Sequence, residues 1–129
     1  MAGQDRTWSL GALQWRIMKW MAFDDGASIG QRGSENGVIL RDDEHPFGAR
    51  ITLEEDGSNA PFAITCGIYG WMFHTRFLGT QQEAEVEYEQ MKDAFHAILN
   101  LIPLEADPNA REKMVQVSDA ISRFVEQYP

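Results

Sequence analysis

Five residues of the chain are potential metal ligands, the run Asp42-Asp43-Glu44-His45 and the later His74. Carboxylates and imidazoles bind hard or borderline cations, and a turn lets adjacent residues converge. The run lacks the spacing of an EF-hand loop, a HExxH helix or a CxxC pair. It also precedes Pro46-Phe47-Gly48, as the polar residues of a solvent-exposed hairpin turn do. We therefore predict no metal site and no other cofactor.

A catalytic nucleophile is the second possibility that the residue types raise. Cys66 is the single cysteine, and it lies in mid-strand among apolar neighbours. No GxSxG motif is present to place a serine on a nucleophile elbow. We interpret Cys66 as a structural residue and assign no catalytic residue.

A third group of polar residues recurs at strand spacing. One set of alternating apolar residues is expected to face the core: Phe62, Ile64, Cys66, Ile68, Trp71, Phe73 and Phe77. Alternation then places four polar residues on the opposite, open face: Arg50, Tyr69, His74 and Arg76. Such a patch could bind a carboxylate or phosphate through guanidinium groups. The alternative is that these are solvated residues that pair across strands, and a bulge at Gly70 would reverse part of the pattern.

The strands that carry these residues lie between Val38 and Gly79. Short apolar or alternating runs cover 38–42, 49–54, 62–69 and 71–78, separated by segments rich in Asp, Gly, Asn and Pro. Short connections favour an antiparallel meander of four to five strands. Residues 27–32 could add an edge strand, although the surrounding glycines weaken it.

Two helices follow Thr80. Thr80-Gln-Gln-Glu83 is a capping-box pattern, and Asp107-Pro108 is a second helix start. Apolar residues then recur at intervals of three and four, in one stripe from Ala84 to Ile102 and in another from Met114 to Tyr128. The pattern predicts a C-terminal helical hairpin packed on one face of the sheet.

The N-terminal segment allows two interpretations. Ser9 can cap a helix from Leu10 to about Asp24, which would place Trp8 and Trp15 on its minor face. Read as a strand, the same segment alternates only in part, so we prefer the helix. A second apolar face on a terminal element is typical of an oligomer interface, and we predict a homodimer through Trp8 and Trp15. The alternative is that this segment is enclosed within its own domain.

Length and charge limit the class of protein. The chain has 129 residues, which is the size of a single domain, and a formal net charge of -9. This acidity is unfavourable for a nucleic-acid binder, which needs a cationic surface. We find no signal peptide and no apolar run long enough for a membrane span, and one cysteine fits a reducing compartment. We expect no nucleic-acid partner, no membrane association and a cytoplasmic location.

These observations predict an α+β protein of residues 1–129, with an N-terminal helix, an antiparallel meander and a C-terminal helical hairpin. The expected function is that of a small acidic cytosolic binding or interaction protein, homodimeric and non-enzymatic, such as a chaperone, adaptor or neutralising partner. The alternative is a domain, or a modest enzyme, that binds a small anionic molecule on the open sheet face.

Overall fold

The computed structural model describes residues 20–104 and 106–129 and contains a five-stranded antiparallel sheet and two α-helices. The strands are β1 (Met21–Ala22), β2 (Val38–His45), β3 (Ala49–Glu55), β4 (Phe62–Ile68) and β5 (Met72–Leu78), and the helices are α1 (Gln81–Leu99) and α2 (Ala110–Gln127). The strands lie in chain order across the sheet. The predicted α+β class, the meander and the C-terminal helical pair are confirmed.

Helix α1 covers one face of the sheet. Its predicted apolar stripe is buried, with Tyr88, Met91 and Phe95 all at 0% exposure, and it packs on core residues of β3 and β4. The capping residue is also as predicted, since the Glu83 backbone N–H donates to Thr80 Oγ1 over 3.3 Å. Residues opposite each other on paired strands share a face, so the position of α1 defines a helix face and an open face of the sheet.

Helix α2 begins two residues later than the Asp107-Pro108 pattern predicts. Asp107 Oδ1 accepts from the Asn109 backbone N–H over 2.8 Å, so this carboxylate stabilises the turn before the helix. Val117, Phe124 and Tyr128 of the predicted stripe are buried, whereas Met114 is half exposed. The C-terminal half of α2 therefore provides most of its packing. No helix in the described part of the chain is both long and apolar enough to cross a membrane.

The predicted N-terminal helix is wrong at its C-terminal end. Met21 and Ala22 pair with Glu44 and Asp43 as strand β1, and a single 3₁₀ turn follows at Phe23–Gly26. Asp24 and Asp25 have φ angles of 50° and 54°, which no α-helix contains. Residues 10–19 of that prediction, and the predicted interface residues Trp8 and Trp15, lie outside the described residues.

The segment between the 3₁₀ turn and β2 lies over the open face. The predicted edge strand at 27–32 consists of turns with one isolated bridge, between Arg32 and Val38. Two buried carboxylates of the sheet hold this segment down, Asp42 of β2 and Glu54 of β3. The segment and the sheet together form the cleft described next.

Candidate binding cleft

A cleft of about 830 Å³ opens on the sheet face opposite the helices. One side is formed by residues 23–34, which we call the cleft wall, and the other by the β4–β5 hairpin around Tyr69 and Phe73. Thr52 and Thr65, on the two central strands, line the sheet between them. Small-molecule sites are typically clefts of roughly 300–1,000 Å³ with apolar walls and a few polar groups. This cleft is therefore the candidate site.

Asp42 fixes the cleft wall to the sheet. Its side chain is fully buried, and its Oδ2 accepts from Ser28 Oγ over 2.8 Å. Arg50 donates to both carboxylate oxygens, from Nε over 2.9 Å and from Nη2 over 2.7 Å, and Thr52 Oγ1 donates over 3.2 Å. Four bonds match the acceptor capacity of one carboxylate. Asp42 is a closed structural centre with no acceptor site left for a ligand.

Arg50 is hydrogen-bonded to the same carboxylate. Its guanidinium carbon lies 3.5 Å from the centroid of the Phe23 ring, so the group is stacked on one side and paired with Asp42 on another. The hydrogen bonds to Asp42 raise the pKa of Arg50 above its ordinary value. The predicted ligand-binding residue Arg50 thus lines the cleft, but two of its five N–H donors and one face of its guanidinium group are already used.

Glu54 holds the far end of the wall. The residue is 1% exposed, and its carboxylate accepts from the backbone N–H groups of Glu35 at 3.2 Å and Gly37 at 3.0 Å. Gly33 lies against the same group, because a Cβ built there would be 2.2 Å from Glu54 Cδ. A larger residue at 33 would displace the carboxylate from the loop it holds.

Tyr69 stands at the rim of the cleft, as an open-face residue of the hairpin turn. It is 55% exposed, and its hydroxyl donates to Glu44 Oε2 over 3.1 Å. Burial and this hydrogen bond raise the pKa of Tyr69. Its ring is available to contact a ligand, and its hydroxyl is neutral at physiological pH.

The prediction that His74 and Arg76 share the open face with Arg50 and Tyr69 is wrong. His74 pairs with Cys66 across the strands, and its Nε2 lies 2.5 Å from the Tyr128 carbonyl oxygen, beneath α2. Arg76 pairs with Glu87 of α1 and donates to the Pro129 carbonyl oxygen over 2.9 Å. Both residues belong to the helix face. The structure brings together only Arg50 and Tyr69 of the four predicted residues.

The reason is the length of the β4–β5 turn. Ile68 pairs with Met72, which leaves a three-residue loop in which Gly70 has a φ of 81°. The sequence-based assignment paired the faces as a two-residue loop would, so every residue of β5 was placed on the opposite face. Phe73 and Phe77 therefore lie on the open face, where they are 86% and 45% exposed. Gly70 was the signal in the sequence for this turn, because glycine readily adopts the positive φ that the turn requires.

The candidate metal ligands are divided between the two faces. Residues 42–45 are strand, not turn, so Asp42 and Glu44 face the cleft side while Asp43 and His45 face the helices. Among residues 20–104 and 106–129, no group of three or more His, Cys, Asp or Glu residues is arranged to hold an ion.

A histidine pair lies on the helix face instead. The Phe47 backbone N–H donates to His45 Nδ1 over 3.1 Å, so Nε2 carries the proton of neutral His45 and donates to His96 Nδ1 over 2.9 Å. Burial, with a smaller effect of His96, lowers the pKa of His45 to about 4. The sequence pattern did not relate these two residues, because they are 51 positions apart.

Cys66 is buried on the helix face, where burial raises the pKa of its thiol to about 12. A thiol in that state is a poor nucleophile near neutral pH.

Comparison of the chain with protein-family models, with curated proteins and with solved structures finds no match.

Proposed function

We propose that the protein is a non-enzymatic binding protein and that its cleft holds a neutral, mainly apolar small molecule. The observation that carries the proposal is the combination of a cleft of about 830 Å³ with a buried polar centre, Asp42 with Arg50 and Ser28, whose carboxylate is already fully hydrogen-bonded. A site whose wall is anchored before a ligand arrives loses little entropy on binding.

The chemistry of the lining supports binding over catalysis. Proton transfer needs a group with a free lone pair or proton within reach of the ligand, and the four hydrogen bonds of Asp42 leave none there. The thiol of Cys66 belongs to the helix face and has a raised pKa. Tyr69 and Phe73 instead offer aromatic surface, and Thr65 offers a hydroxyl at the floor.

The charges around the cleft favour a neutral ligand over the anion that the sequence predicts. Asp42 neutralises Arg50, while the carboxylate of Glu44 lies beside Tyr69 at the rim. Arg32 is the other cationic residue among the described lining residues, and its Nη1 donates to both oxygens of Asn36. A bound anion would gain little from these guanidinium groups and would meet the negative carboxylates nearby.

Two dyes that differ by one sulfonate group test the ligand class. N-phenyl-1-naphthylamine is neutral, and 8-anilino-1-naphthalenesulfonate is the corresponding anion. We expect the neutral dye to bind more tightly, as measured by fluorescence titration. Tighter binding of the anion would overturn the neutral-ligand proposal and support the anionic alternative.

The location is tested by Thr65→Phe, which fills the floor of the cleft. We expect the affinity of the neutral dye to fall by about tenfold or more, since most of the contact area would be lost. Ser118→Phe on the exposed side of α2 adds a ring of the same size to the opposite layer and is the matched control. Unchanged dye affinity in a folded Thr65→Phe protein would overturn the cleft as the binding site.

A further inference from the structure

Strand β5 ends the sheet with an unpaired edge. It is hydrogen-bonded to β4 on one side, and no other described residue makes a backbone hydrogen bond to it. Its sequence, Met72 to Leu78, contains no proline, no lysine and no acidic residue. Proteins usually use such residues to prevent an exposed edge from pairing with another strand. The opposite edge is different, since β1 has only two residues.

The apolar residues of this edge are arranged symmetrically. Phe73 and Phe77 lie two residues on either side of Thr75, and all three side chains are on the open face. Phe73 is 86% exposed, the highest value among the large apolar side chains described. An exposed aromatic pair on an unpaired strand is a feature of interaction surfaces.

We propose that β5 pairs antiparallel with β5 of a second copy of this chain, about a two-fold axis at Thr75, to form a continuous ten-stranded sheet. In this register each Phe73 lies opposite Phe77 of the other copy, and two cross-strand aromatic pairs form on the open face. The symmetry of the strand is the reason for choosing a second copy, since two-fold pairing requires the same contacts in both directions.

The charges on the strand itself do not oppose this contact. In the same register His74 lies opposite Arg76 of the other copy on the helix face, and Arg76 is already neutralised by Glu87. The strand itself carries none of the chain's 20 acidic residues. Two molecules of net charge -9 would thus meet along a segment free of acids.

The contact is small. Seven residues at about 3.4 Å each give a seam of roughly 24 Å. We expect so short a seam to bury an area at the lower end of the range for specific interfaces, and we therefore expect a reversible dimer with micromolar affinity. The inference does not depend on what the cleft binds, although Phe73 lines the cleft as well as the edge.

The first test is the mass in solution, measured by sedimentation equilibrium from about 1 to about 500 µM to cover the expected affinity. We expect a transition from 14.6 kDa to twice that mass. Phe73→Lys should weaken the dimer by about tenfold or more, because a charged side chain replaces a ring that pairs with Phe77 of the other copy in the dimer. Leu104→Lys is the control, since Leu104 is 81% exposed and lies between α1 and α2, outside the sheet.

The second test fixes the register. Residues directly opposite on antiparallel strands have Cα atoms about 4.5 or 5.5 Å apart, within the range that a disulfide spans. Thr75→Cys should therefore form a reducible dimer under mild oxidation. Phe73→Cys should not, because four residues of offset separate the two copies of position 73 by about 13 Å along the strand. The buried Cys66 is common to both proteins.

Three results would overturn the proposal. The first is a monomer at every concentration. If Phe73→Lys also lowered the stability of that monomer, the edge would be covered from within the same chain and the proposal would equally be wrong. The second is a dimer that Phe73→Lys leaves intact and polar substitution of Trp8 and Trp15 abolishes. The third is equal cross-linking of Thr75→Cys and Phe73→Cys.

Discussion

Asp42 is the residue on which the cleft wall depends most. Asp42→Ala would leave Ser28 and Thr52 without an acceptor and Arg50 without its partner. Breaking a fully buried ion pair costs about 3–5 kcal/mol, and partial exposure of Arg50 reduces this to about 2 kcal/mol or more. Urea unfolding measures the loss. Glu44→Ala removes only the bond from the exposed Tyr69 and should cost less than about 1 kcal/mol. Equal losses would contradict this role of Asp42.

His45 makes the free energy of unfolding depend on pH. Its folded pKa of about 4 lies below the ordinary histidine pKa of 6.5, so below pH 6.5 the unfolded chain takes up a proton that the folded protein does not. Stability should be fully present above pH 6.5 and should be lost between about 6.5 and 4. At 1.36 kcal/mol per pH unit the loss is at most about 3 kcal/mol.

His45→Gln is the variant that isolates this effect. Other groups titrate in the same range. The quantity to compare is therefore the difference between the unfolding free energies of wild type and variant, measured at about pH 7, 5.5 and 4. We expect the variant to lose less stability on acidification. His45 contacts the Trp20 ring and His96. The same dependence of the unfolding free energy on pH in both proteins would show that protonation of His45 in this environment is not the cause.

At the scale of elements, the cleft wall is held by a close approach at Gly33. A Cβ there would meet the Glu54 carboxylate at 2.2 Å, so Gly33→Ala should displace it from the backbone N–H groups of Glu35 and Gly37. We expect a loss of about 1–3 kcal/mol and faster amide exchange in residues 33–37. Gly79→Ala is the matched control, since no atom lies within 4 Å of a Cβ there. Unchanged amide exchange in Gly33→Ala would contradict the clamp.

The helices were predictable because one-sided burial imposes a period on the sequence. Tyr88, Met91 and Phe95 follow that period, and each is fully buried as expected. The four long strands β2 to β5 were predictable from their short apolar or alternating runs, whereas β1 lies in the segment that the pattern predicts as a helix. Faces were less so, because a turn that is one residue longer reverses every side chain that follows it. The three-residue turn before Met72 therefore moved two of the four predicted site residues to the helix face.

Long-range partners could not be predicted from spacing alone. The cleft wall has little local periodicity, and it is held by Asp42 and Glu54, whose bonds to it do not follow from strand or helix spacing. These contacts join residues 14 to 19 positions apart. Nothing in the pattern of residues 23–37 indicates which side of the sheet they cover.

At the scale of the whole molecule, the acids of the helical layer have a structural role. Residues 1–80 carry ten acids and seven bases, and residues 81–129 carry ten acids and four bases. Arg41 bonds Glu85 and Glu89, and Arg76 bonds Glu87, across the two layers. These pairs flank the apolar stripe and orient α1 on the sheet, while the remaining acids give the surface its negative charge.

That negative charge gives the proposed dimer a salt dependence of definite sign. Two copies of net charge -9 repel one another, and the Debye length falls from about 30 Å at 0.01 M salt to about 10 Å at 0.1 M. The seam itself consists of apolar and neutralised groups, which salt does not weaken. Dimerisation should therefore strengthen several-fold over this range, as measured by sedimentation equilibrium. A dimer that dissociates as salt is added would instead be held by ion pairs between the copies, and the β5 seam would be wrong.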